Sequence, residues 1–97
     1  MSDAFVPTVF APQGPLTLFT SAAVLEEGRR LVMKGELVVD LGALTAADSV
    51  ALALILDWLR AARGAGHRLS LRKLPAGLAS LAALYDIDTL LPLDSAA

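Results

Sequence analysis

The sequence predicts a small α/β domain, a central mixed β-sheet with helices packed on it in the order ββαβαβα, and three observations carry that reading. Leu37-Val38-Val39-Asp40-Leu41 is continuously rather than alternately apolar, the pattern of a strand buried on both faces. Two segments with helical hydrophobic periodicity flank it. Glycines at 35, 64 and 66 punctuate the boundaries between these stretches. A chain of 97 residues makes one core and rarely two, so residues 1–97 are read as a single domain with its core over about 8–91.

The elements follow in order. Thr8-Val9-Phe10 and Leu16-Thr17-Leu18-Phe19 are β-prone and separated by Ala11-Pro12-Gln13-Gly14-Pro15, which reads as the turn of a hairpin or loose meander. Thr20-Ser21 offers a hydroxyl cap for a helix over Ala22 to Lys34, with Glu26 and Glu27 early and Arg29, Arg30 and Lys34 late, as the helix dipole favours. Val24, Leu25, Leu31 and Val32 give that helix its apolar face, and Gly35 is expected to close it in the left-handed region. After the central strand, Thr45 to Ser49 leads into a long helix, Val50 to Arg63, stopped by Gly64 and Gly66. His67 to Arg72 alternates polar and apolar residues, so it is placed near a sheet edge. Pro75 suits the first turn of a third helix whose buried stripe is Leu78, Leu81, Ala82 and Tyr85, with Leu84 flanking it. Asp86-Ile87-Asp88 ends that helix, and Leu90 to Leu93 is a short apolar tail.

Composition excludes many functions. No cysteine and a single histidine, His67, leave no set for thiolate chemistry, a disulfide or a histidine-cysteine metal site, so no metal or cofactor is expected. A net charge of −2 argues against a phosphate-backbone binder, and no nucleic-acid partner is expected. The first residues carry Asp3 and Pro7 and no basic residue, which is the wrong order for an export signal. The longest apolar run, Val50 to Leu56, is far short of the roughly 20 residues that span a bilayer, so direct insertion is not expected. Yet 56% of residues are hydrophobic and mean hydropathy is +0.63, a surplus that small acidic domains often bury against another protein.

The long helix carries the functional hint. At 100° per residue, Ala51, Leu52, Ile55, Trp58, Leu59 and Ala62 fall on a core face, and Ser49, Val50, Ala53, Leu56, Asp57 and Arg60 on the other. The outer face is apolar and small over its first two turns. It reads either as a partner surface or as scattered exposed apolar residues, which are common. Asp48 and Ser49 stand where strand-to-helix loops of α/β folds collect function, and read either as caps or as contacts. Asp40 and Asp48 near one strand end are the acid and base that an enzyme reading would use, but no nucleophile-base-orienter set accompanies them, so no catalytic residue is assigned. Arg60, Arg63, Arg68, Arg72 and Lys73 lack interleaved aromatics and read as a solvated rim.

Leu37 to Leu41, Thr45 to Leu54 and the helix running to Gly64-Ala65-Gly66 resemble the core of a STAS domain, the sulfate transporter and anti-sigma factor antagonist family. Asp48 to Leu54, with Leu81 to Ile87 and Leu90-Leu91-Pro92, resemble its MlaB branch more narrowly. That resemblance implies a non-catalytic subunit of an ABC-type phospholipid transporter that maintains outer-membrane lipid asymmetry. It would be cytoplasmic and held at the inner membrane by its partners, an MlaF-like ATPase subunit and, through it, the permease. The family's acidic residue followed by Ser or Thr falls on Asp48 and Ser49, so Ser49 would bond a polar group of the ATPase. Val50, Ala53 and Leu56 would bury against it, with Thr45 and Asp57 at the rim. The apolar stripe leaves self-association of the isolated chain open. Anti-sigma factor antagonists are similar and bind a kinase, but the serine they phosphorylate is Val50 here, and the glycine that usually follows is Ala51.

Overall fold

The computed structural model describes residues 7–93; the readings of the first six residues lie outside them. The elements are β1 (Thr8–Phe10), β2 (Gly14–Leu16), α1 (Ser21–Val32), β3 (Leu37–Asp40), β4 (Leu44–Ala47), α2 (Ser49–Ala65), β5 (Leu69–Arg72), α3 (Ala76–Leu84) and a 3-10 turn at Asp88–Leu90. The α/β class and the three helices stand as read from the sequence, and the differences lie in the strands.

The expected hairpin is absent. β1 pairs parallel with β3, Val9 opposite Val38, and β2 pairs parallel with β4, Leu16 opposite Ala47. Gly14 takes a φ of +78°, which favours glycine, and there the chain passes from one sheet to the other instead of reversing. β4 occupies part of the segment that the sequence reads as a lead-in to the helix, and with it the order becomes ββαββαβα. The sheet is not mixed: every strand pairing among the described residues is parallel, in the orders β1-β3-β5 and β2-β4. β5 does lie at the sheet edge, where Leu71 N–H donates to the Pro92 carbonyl and Leu93 bridges it.

Burial explains why the strands sit where they do. Leu37, Val38 and Val39 are all buried, as a central strand requires, while β5 alternates between buried Leu69 and Leu71 and half-buried Ser70 and Arg72. Leu37, Val39, Leu69 and Leu71 share one core with Val32 of α1, Ala51, Ile55 and Trp58 of α2, and Leu78 and Ala82 of α3. All three helices thus cover one face of the main sheet.

Helix ends differ in instructive ways. Gly35 is not left-handed; α1 winds down through a tight turn in which Lys34 N–H donates to the Leu31 carbonyl, so no left-handed residue is needed. Gly66, at φ +74°, does cap α2, and Gly64 lies inside the helix. Thr20 precedes α1, but its hydroxyl accepts from Thr17 N–H and donates to the Pro15 carbonyl, bracing the turn rather than capping the helix. Tyr85 is exposed rather than part of the buried stripe, as is Leu84. The helical period stops before Tyr85 because Asp86 turns left-handed at φ +61° and Ile87 N–H reaches back to the Ala82 carbonyl. Ile87, not Tyr85, packs on the core.

α1 and α2 meet at Trp58, whose side chain is fully buried. Its indole N–H donates to the Leu25 carbonyl at 3.0 Å, and its ring meets Phe10 edge-on at 6.0 Å. Gly28 lies flat against the indole, and a Cβ there would overlap ring atoms that have no free space to move into. Gly28→Ala gains about 1 kcal/mol of helix propensity, but the overlap dominates. We expect a net loss of about 1–3 kcal/mol in urea unfolding. A variant as stable as the wild type would show that the indole can shift.

Candidate interaction site on the long helix

Parallel strands bring two chain ends together. Leu16 and Ala47 are register partners at the ends of β2 and β4, so the turn before α1 and the start of α2 leave the small sheet side by side. The resulting corner is built from the Thr17–Thr20 turn and Asp48-Ser49-Val50.

At that corner the two readings of Asp48 and Ser49 separate. Asp48 has the extended backbone of a cap residue, φ −126° and ψ −164°, and its Oδ1 accepts from Val50 N–H at 2.9 Å. Ser49 is exposed, and its hydroxyl has no hydrogen-bond partner among the described residues. One residue therefore holds the helix start and the next offers a hydroxyl to solvent. Val50 is half-buried and packs on the core.

The other candidates fall on three lines. Ser49, exposed Ala53 and half-buried Leu56 follow the outward ridge of α2, with Arg60 beyond them. Asp57 is turned toward α1, where both carboxylate oxygens accept from Arg29, at 2.7 and 2.9 Å. That hydrogen-bonded pair holds the Asp57 carboxyl below its ordinary value despite partial burial, helped by the charges of Arg29 and Arg60. Its contribution to stability is present above the usual carboxylate range and is lost as pH falls through the lowered value. Thr45 is exposed on β4 as an extra residue of a bulge: Gly14 opposes Leu44 and Pro15 opposes Ala46. Ser49, Ala53 and Leu56 are thus brought together, Val50 and Asp57 border them on the α1 side, and Thr45 stands on a separate element.

Leu18 and Phe19, β-prone by sequence, ride on the turn at this corner, 70% and 94% exposed. The signal for the turn was the pair of threonines three apart, Thr17 and Thr20, just before a helix.

The acid-base alternative finds its carboxylates occupied by backbone amides. Asp40 Oδ1 accepts from Gly42 N–H and Asp48 Oδ1 from Val50 N–H, both at 2.9 Å. A cavity of about 600 Å³ lies at the opposite end of the sheet, lined by Lys34, Glu36, His67 and Arg68. There His67 Nδ1 donates to the Val32 carbonyl at 2.7 Å and ties β5 to the end of α1. Among the described residues no cluster of three or more His, Asp or Glu is placed to hold a metal ion.

A family model, that of the Mlab STAS domain, matches residues 4–92. The chain belongs to the STAS family, in its MlaB-like branch. No curated protein matches it significantly. STAS domains are in general interaction and regulatory domains rather than catalysts, and they work by binding other proteins. No helix among the described residues is long and apolar enough to cross a membrane.

Asp48→Ala removes the bond to Val50 N–H and is expected to cost about 1 kcal/mol of stability, read by chemical denaturation. An unchanged midpoint would mean that Ser49 or water replaces the cap.

Proposed function

We propose that this chain is the non-catalytic STAS subunit of an ABC-type phospholipid transporter, docking on the ATPase subunit and supporting its activity in outer-membrane lipid asymmetry. The whole chain, residues 1–97, forms that one STAS unit, cytoplasmic and held at the inner membrane through the ATPase and permease. The observation that carries the reading is the division of labour at the start of α2: Asp48 caps the helix, which leaves the Ser49 hydroxyl to a partner.

Around Ser49 the surface is suited to protein contact. Ala53 is small enough to let a partner backbone approach, Leu56 offers apolar area, and Leu18 and Phe19 extend the patch across the corner. Val50 supports the helix from within, Thr45 and Asp57 border the contact, and the Arg29 pair holds the Asp57 side chain in place. A phosphoswitch at the position anti-sigma factor antagonists use has no hydroxyl to modify, because Val50 stands there and is packed on the core.

The test is co-purification from gently solubilised membranes together with the ATPase rate of the purified complex. Leu56→Asp, after confirmation that it folds, is expected to abolish recovery of the ABC ATPase and permease; full recovery would remove this ridge from the interface. Ser49→Ala is expected to weaken the complex by about 0.5–1.5 kcal/mol, through loss of one net hydrogen bond. Equal affinity and an equal ATPase rate would leave Ser49 without a role in binding.

A further inference from the structure

Past Leu56 the outer surface of α2 changes character. A groove of about 250 Å³ runs between the second half of α2 and the 3-10 turn, lined by Leu56, Leu59, Arg60, Arg63 and Leu90. Its apolar members are incompletely covered: Leu56 and Leu59 are half-buried and Leu90 is 48% exposed. Its two arginines are exposed, and neither lies within 4 Å of a carboxylate among the described residues. The arginines of α1 contrast with them, since Arg29 is paired with Asp57 and Arg30 with Glu27.

We infer that this groove receives an amphipathic helix bearing carboxylates, contributed by the ATPase partner and lying along α2; the inference rests on the function proposed above. Ser49, Ala53, Leu56, Arg60 and Arg63 succeed one another at intervals of four, three, four and three residues, so they form one seam. At 1.5 Å per residue that seam is about 21 Å long. A helix laid along it meets a hydroxyl, a small residue, an apolar cleft and two guanidinium groups in turn. Apolar side chains at helical spacing fill the cleft formed by Leu56, Leu59 and Leu90. Asp or Glu about one turn further along meets Arg60 and Arg63, whose planar forks pair carboxylates in bidentate fashion. The charge complementarity also sets direction, because the acidic end of the incoming helix lies toward Arg63 and its small or polar end toward Ser49. An anionic lipid surface fits less well, since such surfaces recruit clusters of four to eight basic residues, whereas this groove holds two beside an apolar floor in a chain of net charge −2.

The experiment measures binding of fluorescently labelled chain to the purified ABC ATPase of the same cell, at low and high salt, for wild type and the double variant Arg60→Glu/Arg63→Glu. Both side chains are exposed, so the fold should survive, and circular dichroism checks it. The expected result is at least a tenfold loss of affinity, with a much weaker salt dependence than the wild type. Arg60→Lys/Arg63→Lys should retain most of the affinity, and reversing the acidic residues of the ATPase helix found by cross-linking should restore binding to the double variant. If the wild type binds and the double variant binds equally well, the groove is off the interface and the inference falls while the proposed function stands. If the wild type does not bind the ATPase at all, both fall. Co-sedimentation of wild type, but not the double variant, with phosphatidylglycerol vesicles in the absence of ATPase would assign the groove to lipid and overturn the inference.

Discussion

The seating of Trp58 against Gly28 is the constraint on which the remainder of the structure depends. The indole is completely buried, and its N–H is satisfied by the Leu25 carbonyl of α1, so a large side chain carries no orphaned polar atom into the core. The missing Cβ at Gly28 lets α1 approach closely enough for that bond to form. Phe10 closes the third side and connects the helix pair to β1. On the surface above the indole, Arg29 and Asp57 tie the same two helices together in a partly exposed pair. Such a pair contributes less to stability than the buried ring, but it fixes which way the α1 flank of α2 faces.

With its inner face committed to this packing, α2 has an outer face that folding does not use. Ala51, Ile55, Trp58 and Ala62 are buried to 1% exposure or less, while Ser49, Ala53 and Arg60 on the opposite side are open. The capping bond from Asp48 sharpens this separation, because the polar work of starting the helix is done one residue before the exposed hydroxyl. A rigid helix with its cap and core satisfied presents its remaining side chains in fixed positions, which lowers the ordering cost of binding. The small β2-β4 sheet adds the neighbouring turn with Leu18 and Phe19, so the corner is assembled from segments far apart in sequence.

The parts of this arrangement legible in the sequence are those fixed by local pattern. β3 was readable because its apolar run is continuous, α2 because its core face repeats at helical spacing, and its end because Gly66 is left-handed. β4 was not, since Leu44-Thr45-Ala46-Ala47 has two alanines and a bulge at Thr45 that breaks alternation, and it becomes a strand through its pairing with β2. The same non-local pairing turned an apparent hairpin into two parallel edges. Tyr85 failed as a core residue because spacing cannot reveal where a helix stops, and the left-handed Asp86 hands its place to Ile87. Of the site, the ridge Ser49-Ala53-Leu56 followed from helical geometry, but the engagement of Asp57 by Arg29 and the exposure of Phe19 depend on how α1 is docked.

The most direct measurement is hydrogen exchange by mass spectrometry on the chain alone and in complex with its ABC ATPase. Docking through the start of α2 predicts slower exchange on binding for the amides of the Thr17–Thr20 turn and of residues 44–50, with no change at residues 34–36 at the opposite end of the sheet. Protection confined to that opposite end, with the start of α2 exchanging as in the free chain, would contradict it.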